Sequence, residues 1–213
     1  MMHFDFNLGA YIQGKDEHCG RLAGLVIDPE ARQVTDLIVD RGLMTQKRVL
    51  PIAVVQSALE ENIYVSISSY ELDRYPEYRV IEYEEPVTGL ERSAVAVATP
   101  YGLQGASEPT VPTVQQKIHE GIASGRQVIE RGMPVNNVDG KIGKMARVVV
   151  NRERQEITCL VMRRGMIFAE QFVIPISMVE NMHEDGILVT GTDEALEHLP
   201  HYKHAVEADL LTK

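Results

Sequence analysis

The chain repeats itself, and nothing else in its sequence limits the fold so strongly. The stretch VDRGLMTQKRVLP, from Val39 to Pro51, returns as MRRGMIFAEQFVIP from Met162 to Pro175. Each copy has an arginine and a glycine, a short apolar group, a polar step, and an apolar run closed by proline. The match extends on both sides. Gly9 falls on Gly132, Asp16 on Asp139, Gly20 on Gly143, Val26 on Val149 and Leu37 on Leu160, all at one constant offset. Arg41 and Gly42 fall on Arg164 and Gly165. One residue is then inserted in the second copy, after which Pro51, Ile63, Pro76 and Tyr78 meet Pro175, Ile187, Pro200 and Tyr202. A register that long with a single insertion marks a duplicated domain. A solenoid would need shorter units and usually three or more of them.

Each copy reads as strands. RLAGLVID and KMARVVVN alternate in polarity with the period of two that puts successive side chains on opposite faces. In the second copy Met145, Arg147 and Val149 are expected on one face, with Ala146, Val148 and Val150 on the other. A polar turn, PEARQ or RERQ, leads into VTDLIVD or EITCLVM, and the two strands form a hairpin. Gly42 and Gly165 close the second strand, where a positive φ is cheap for glycine alone. RVLPIAVV and FVIPISMV are short strands broken by proline, which cannot donate to a ladder. NIYVSI and GILVTG supply a last strand. SSYELDRYPEY and TDEALEHLPHY read as short helical turns, capped by Ser or Thr and stopped by Pro76 and Pro200. Short strands separated by frequent turns argue for a small barrel, whose closure removes exposed sheet edges.

The paired units GRLAGLVIDPEARQVTDLIVDRG and GKMARVVVNRERQEITCLVMRRG, followed by VLPIAVV and VIPISMV, resemble tandem PRC-barrel domains. That family includes the cytoplasmic domain of the photosynthetic reaction-centre H subunit and the C-terminal barrel of the ribosome-maturation factor RimM. The resemblance implies an all-β chain of two small PRC-type β-barrels in tandem, with short helical turns after the last strands. Domain 1 is placed at 6–80 and domain 2 at 127–204, followed by a tail at 205–213. An acidic linker rich in Pro, Gly and Ala occupies 81–126. Within it VQQKIHEGIASG is read as a short helix, with Val114, Ile118 and Ile122 on one face and Thr113 as its N-cap. Members of the family act mostly as docking modules on larger assemblies, and the resemblance implies such a role here.

Composition narrows the partners. The formal net charge is −10, so the chain as a whole is a poor general binder of nucleic acid or of an anionic membrane surface. No apolar run is long enough to cross a membrane, so no membrane insertion is expected. The start, MMHFDFNLGA, lacks the basic and apolar regions of a signal peptide, and the expected compartment is the cytoplasm. Two cysteines make no disulfide framework; Cys19 is read as a surface thiol and Cys159 as a buried one.

No nucleophile elbow, phosphate loop, dinucleotide fingerprint or zinc-protease motif occurs, so the expectation is no catalytic residue, cofactor or metal, and no enzyme. The paired carboxylates Glu60–Glu61 and Glu184–Asp185 fall in strand-to-strand turns. His198, His201 and His204 are spaced by three, but Pro200 interrupts them and they read as a solvated tail.

Two candidate contact surfaces remain. Leu43, Met44, Met166, Ile167 and Phe168 follow the duplicated glycine at the hairpin tips, where apolar residues either pack or meet a partner. Duplicating the tip also allows a homodimer. Lys141, Lys144, Arg147, Arg152, Arg154, Arg163 and Arg164 crowd the first hairpin of the second copy. The first copy is poorer in cations, with Gly24 matching Arg147 and Asp40 matching Arg163. The function expected is a non-enzymatic cytoplasmic adaptor or scaffold that docks on a larger protein assembly. The second reading is an RNA- or ribosome-associated factor using the basic face. It is the weaker one, because only Phe168 and Phe172 stand near for base stacking.

Overall fold

A computed structural model of the chain describes residues 3–42, 45–59, 61–86, 113–165, 169–183, 185–192 and 198–202, with 82–86 and 113–117 as backbone alone. Two compact units result, Met1–Tyr78 together with Gly121–Lys213, and Arg79–Glu120. The first copy forms β1 (His3–Asn7), β2 (Tyr11–Gln13), β3 (His18–Asp28), β4 (Gln33–Asp40), β5 (Lys47–Pro51), β6 (Val55–Leu59), β7 (Asn62–Val65) and β8 (Glu77–Pro86). After β9 (Thr113–Glu120), the second copy forms β10 (Gln127–Glu130), β11 (Pro134–Asn137), β12 (Gly140–Asn151), β13 (Ile157–Arg164), β14 (Glu170–Pro175), β15 (Val179–His183) and β16 (Gly186–Val189). The all-β reading holds.

The prolines in the doubled phrase act alike. Pro51 and Pro175 end β5 and β14 and start the 3₁₀ turns Ile52–Val54 and Ile176–Met178. The helical turn read near Pro76 is the 3₁₀ turn Glu71–Arg74; its counterpart at 193–197 lies outside the described residues.

Among the described residues the strands make a 7-stranded sheet along β14-β13-β12-β11-β16-β15, with β1 joined to β12, and a 9-stranded sheet along β6-β7-β2-β3-β4-β5-β8-β9, with β10 joined to β3. Neither path closes on itself among the described residues, so the closed barrel expected for each copy is not what forms. In the 7-stranded sheet the β14 edge is instead covered locally, and the corresponding strand of the 9-stranded sheet, β5, is continued by β8. The Val49 N–H donates to the Pro76 carbonyl beside β5, and the Val173 N–H donates to the Pro200 carbonyl beside β14. Covering an edge satisfies its backbone groups without closure.

The two leading strands are exchanged. β1, from the first copy, pairs antiparallel with β12, from Phe4 opposite Val150 to Asn7 opposite Arg147. β10, from the second copy, pairs antiparallel with β3, from Gln127 opposite Ile27 to Glu130 opposite Gly24. The hairpin turns also meet symmetrically. The Val34 N–H donates to the Gln155 carbonyl, and the Ile157 N–H donates to the Arg32 carbonyl. Arg32 and Gln155 are matching residues, and both take a left-handed conformation, at φ 53° and 60°. One core follows from this exchange. Phe4, Phe6 and Leu8 of the first copy are buried in the same cluster as Val148, Leu160 and Ile187 of the second. Burying an aromatic side chain such as Phe6 contributes about 1.5–3 kcal/mol.

Alternation along β12 is broken. The register shifts between Met145 and Arg147 and again between Val149 and Val150, and β3 shifts at the matching Leu22/Gly24 and Val26/Ile27. A bulge advances the pleat by one residue. Met145 and Val148 therefore both face the main core, whereas Val149 joins Cys159, Val161 and Val173 on the opposite face. The expected grouping of Met145 with Val149 is corrected accordingly.

The linker helix is also corrected. Thr113–Glu120 is strand β9, paired residue for residue with β8 from Arg79 opposite Glu120 to Pro86 opposite Thr113. Three apolar residues at helical spacing do not outweigh a full ladder of backbone bonds. Gly121, at φ 93°, ends the strand, and Ile122 belongs to a different element from Ile118, half-buried against Val26, Ile38 and Val49.

Candidate functional site

The basic residues of the second copy are gathered by the β12–β13 pairing. Lys144 lies directly opposite Arg163, and Arg163 and Arg164 face Gln171 and Glu170 on β14. Two like charges directly opposite on one face destabilise a sheet. At the matching place in the first copy, Arg21 lies opposite Asp40. The second copy thus holds a like-charge pair where the same backbone elsewhere holds an opposite-charge pair.

Beside this pair lies a cleft of about 810 Å³, lined by Lys141, Lys144, Arg147, Arg163 and Arg164. Arg131, Asn7, Gln171 and Glu61 also line it, with the Asn7 side-chain amide donating to the Glu61 carboxylate at 3.2 Å. Gly143 at its base has to be glycine: a Cβ there would stand 2.4 Å from the Met162 side chain and 2.9 Å from the Arg163 carbonyl oxygen. A smaller cleft, of about 370 Å³, occupies the matching place in the first copy, lined by His18, Arg21, Asp40 and Arg41. Arg131 lines both clefts and lies close over Gly9.

Five of the seven predicted basic residues therefore come together, and two do not. Arg152 places its guanidinium over the Phe4 ring, 5.4 Å from the centroid, and Arg154 pairs with Glu156 at 3.8 Å on the hairpin turn. Arg147 is largely committed already. It pairs with Asp5 at 3.3 Å and stacks over Tyr202 at 4.8 Å. Lys141, Lys144, Arg131 and Arg163 form no ion pair with any described residue. Arg131 was missed in the sequence reading because its match in the first copy, Leu8, is a core residue; repeat logic assigns such a position to packing.

The Asp5 group is buried under the sheet. The Tyr202 hydroxyl donates to Asp5 Oδ2, the same oxygen that Arg147 approaches. Burial pushes the Asp5 carboxyl above its usual value, while the Tyr202 hydrogen bond and the Arg147 charge pull it back. Burial also raises Tyr202, and the neighbouring Asp5 charge adds to this. Burial pushes the Cys159 thiol up to about 12, and Cys19 is raised first by burial and then by the Asp16 charge. Cys19 is therefore not the surface thiol its polar turn suggested: strand β3 carries its side chain into the core. Neither thiol is poised as a nucleophile, since reactivity needs the thiolate.

The hairpin tips Leu43, Met44, Met166, Ile167 and Phe168 lie outside the described residues. The glycines that precede them are left-handed as read, Gly42 at φ 106° and Gly165 at φ 95°. Of the three histidines, His201 packs on Phe172 with ring centroids 4.7 Å apart, and His204 lies outside the described residues. Among the described residues no three His, Cys, Asp or Glu side chains gather to hold a metal ion, and no helix is long and apolar enough to cross a membrane. Comparison of the chain with protein-family models and with curated proteins finds no match in either.

Proposed function

We propose that the chain is a non-enzymatic cytoplasmic adaptor of PRC type that docks on a larger protein assembly. The observation that carries this reading is the gathering at one cleft of Arg131, Lys141, Lys144 and Arg163, which form no ion pair with any described residue, in a chain whose net charge is −10. Holding Lys144 opposite Arg163 costs stability, and a docking role gives that cost a reason. Fusing both copies through one core supports the reading further, because a preorganised surface loses less entropy on binding.

The test is a pull-down with the tagged full chain from native lysate, with and without nuclease and mild detergent, read by mass spectrometry. A nuclease-resistant protein partner is the expected result. Recovery of RNA or ribosomal proteins that disappears with nuclease would overturn it in favour of the RNA-associated reading. That reading also predicts a steep loss of binding with salt, close to one decade of affinity per decade of salt for each phosphate contact.

A further inference from the structure

We infer that the two clefts form one track, joined by Arg131, and that the track takes an extended acidic segment of a partner protein. This rests on the adaptor reading and names the chemistry its partner must present. Three observations lead to it.

The first is continuity. The Arg131 side chain lies over Gly9 and lines both clefts, so the positive surface does not stop at the boundary between the copies. Lys144 and Arg163 stand on one side of it and Arg21 on the other, where Arg41 is paired with Asp73 at 2.5 Å. The second is availability. Arg131, Lys141, Lys144 and Arg163 form no ion pair with any described residue. Guanidinium groups present a fork of donors that matches carboxylate in two-point contact, and lysine supplies a mobile point charge.

The third separates a peptide from a nucleic acid. The track is not uniformly positive: Glu61 stands in the larger cleft and Asp40 in the smaller. A phosphate backbone repeats its charge at fixed spacing and would meet both carboxylates. A peptide that mixes Asp and Glu with neutral or basic residues can avoid the clash, or pair with them. The Asn7 and Gln171 amides on the larger wall suit the main chain of such a peptide. No aromatic side chain lines the larger cleft among the described residues, and the one ring in the smaller, His18, is already set edge-on against Tyr11 at 5.4 Å, so the larger cleft offers no platform for base stacking. Interspersed like charges of this kind are a common means of excluding the wrong partner.

The test uses the full chain, a fluorescein-labelled peptide of alternating Glu and Gly, and a labelled single-stranded oligonucleotide of equal charge, with binding read by anisotropy at two salt concentrations. The peptide should bind more tightly than the oligonucleotide. Lys144→Glu/Arg163→Glu should weaken the peptide by about tenfold or more, and Arg131→Ala by a smaller factor. Arg152→Glu/Arg154→Glu, outside the clefts, should leave it unchanged. Thermal melts establish that each variant is folded. Tighter binding of the oligonucleotide, indifference to the cleft variants, or an equal loss in the Arg152/Arg154 control would each overturn the inference. A pull-down partner retained by Lys144→Glu/Arg163→Glu would leave the adaptor reading standing and remove this one. A lysate that yields no protein partner would count against the adaptor reading alone.

Discussion

The two exchanged strands do the same job with opposite chemistry. β10 seats Val128 against Gly24 of β3, with Tyr78, Val26, Ile38 and Val49 around it. At the matching place β1 brings Asp5 beside Arg147 of β12, with Tyr202 in the role of Tyr78. One junction is buried and apolar; the other is a buried charge pair closed by a phenol. The backbone frame tolerates either, provided both partners change together. A space that fits a glycine and a valine is refilled by an arginine and an aspartate.

The strongest test of that comparison is to remove one partner. Arg147→Gly leaves Asp5 buried without its counter-charge and should cost about 3–5 kcal/mol in urea denaturation. Asp5→Val/Arg147→Gly rebuilds the apolar junction at the charged site and should be clearly more stable than Arg147→Gly alone. If the double variant shows the sum of the two single losses, the junctions are not interchangeable. On the apolar side, a Cβ on Gly24 would stand 3.1 Å from both the Ile129 carbonyl oxygen and a Val128 methyl. Gly24→Val should therefore cost about 1–3 kcal/mol through overpacking, seen as a lower thermal midpoint.

A smaller effect separates stability from docking. Arg163→Asp gives Lys144 the opposite-charge neighbour that Arg21 has in Asp40, and should stabilise by about 0.2–1 kcal/mol. The same change should weaken binding of the acidic peptide. A variant that is both more stable and fully competent to bind would break the link between like-charge pairing and function.

The smallest effect concerns pH. Asp28 is held below its usual value of 3.8, first by the Ala31 backbone N–H and then by Arg126, which reaches it from the start of the second copy. A depressed carboxylate contributes stability that is present above that value and lost as pH falls through the folded-state pKa. The urea midpoint should therefore fall less on acidification from neutral pH to about 3 in Asp28→Asn than in the native chain.

How much of this was legible follows from what each signal depends on. The strand–turn–strand units and the left-handed glycines depend on local pattern, and they appear where the sequence placed them. The exchange does not. Phe4, Asp5 and Phe6 alternate in the same way whichever copy of the long hairpin they join, so the pattern carries no address. The bulges were hidden for a related reason: Met145-Ala146-Arg147 alternates cleanly until the partner strand is known. The basic cluster was half legible. Adjacency on one hairpin found Lys144 and Arg163, but it could not tell that Arg147 is spent on Asp5 or that Arg131 arrives from the turn after β10.

The exchange also sets an order of events during synthesis. The first sheet lacks β10 until residue 130 has been made, and the strand that β12 needs is produced long before β12 itself. An emerging first copy thus waits with Val26 and Ile38 uncovered on one face until most of the chain has left the ribosome. Contacts that span so much sequence close slowly and leave apolar strand surface open to other chains meanwhile. Cutting the gene between the copies should therefore yield two insoluble halves that recover a native fold only when expressed together.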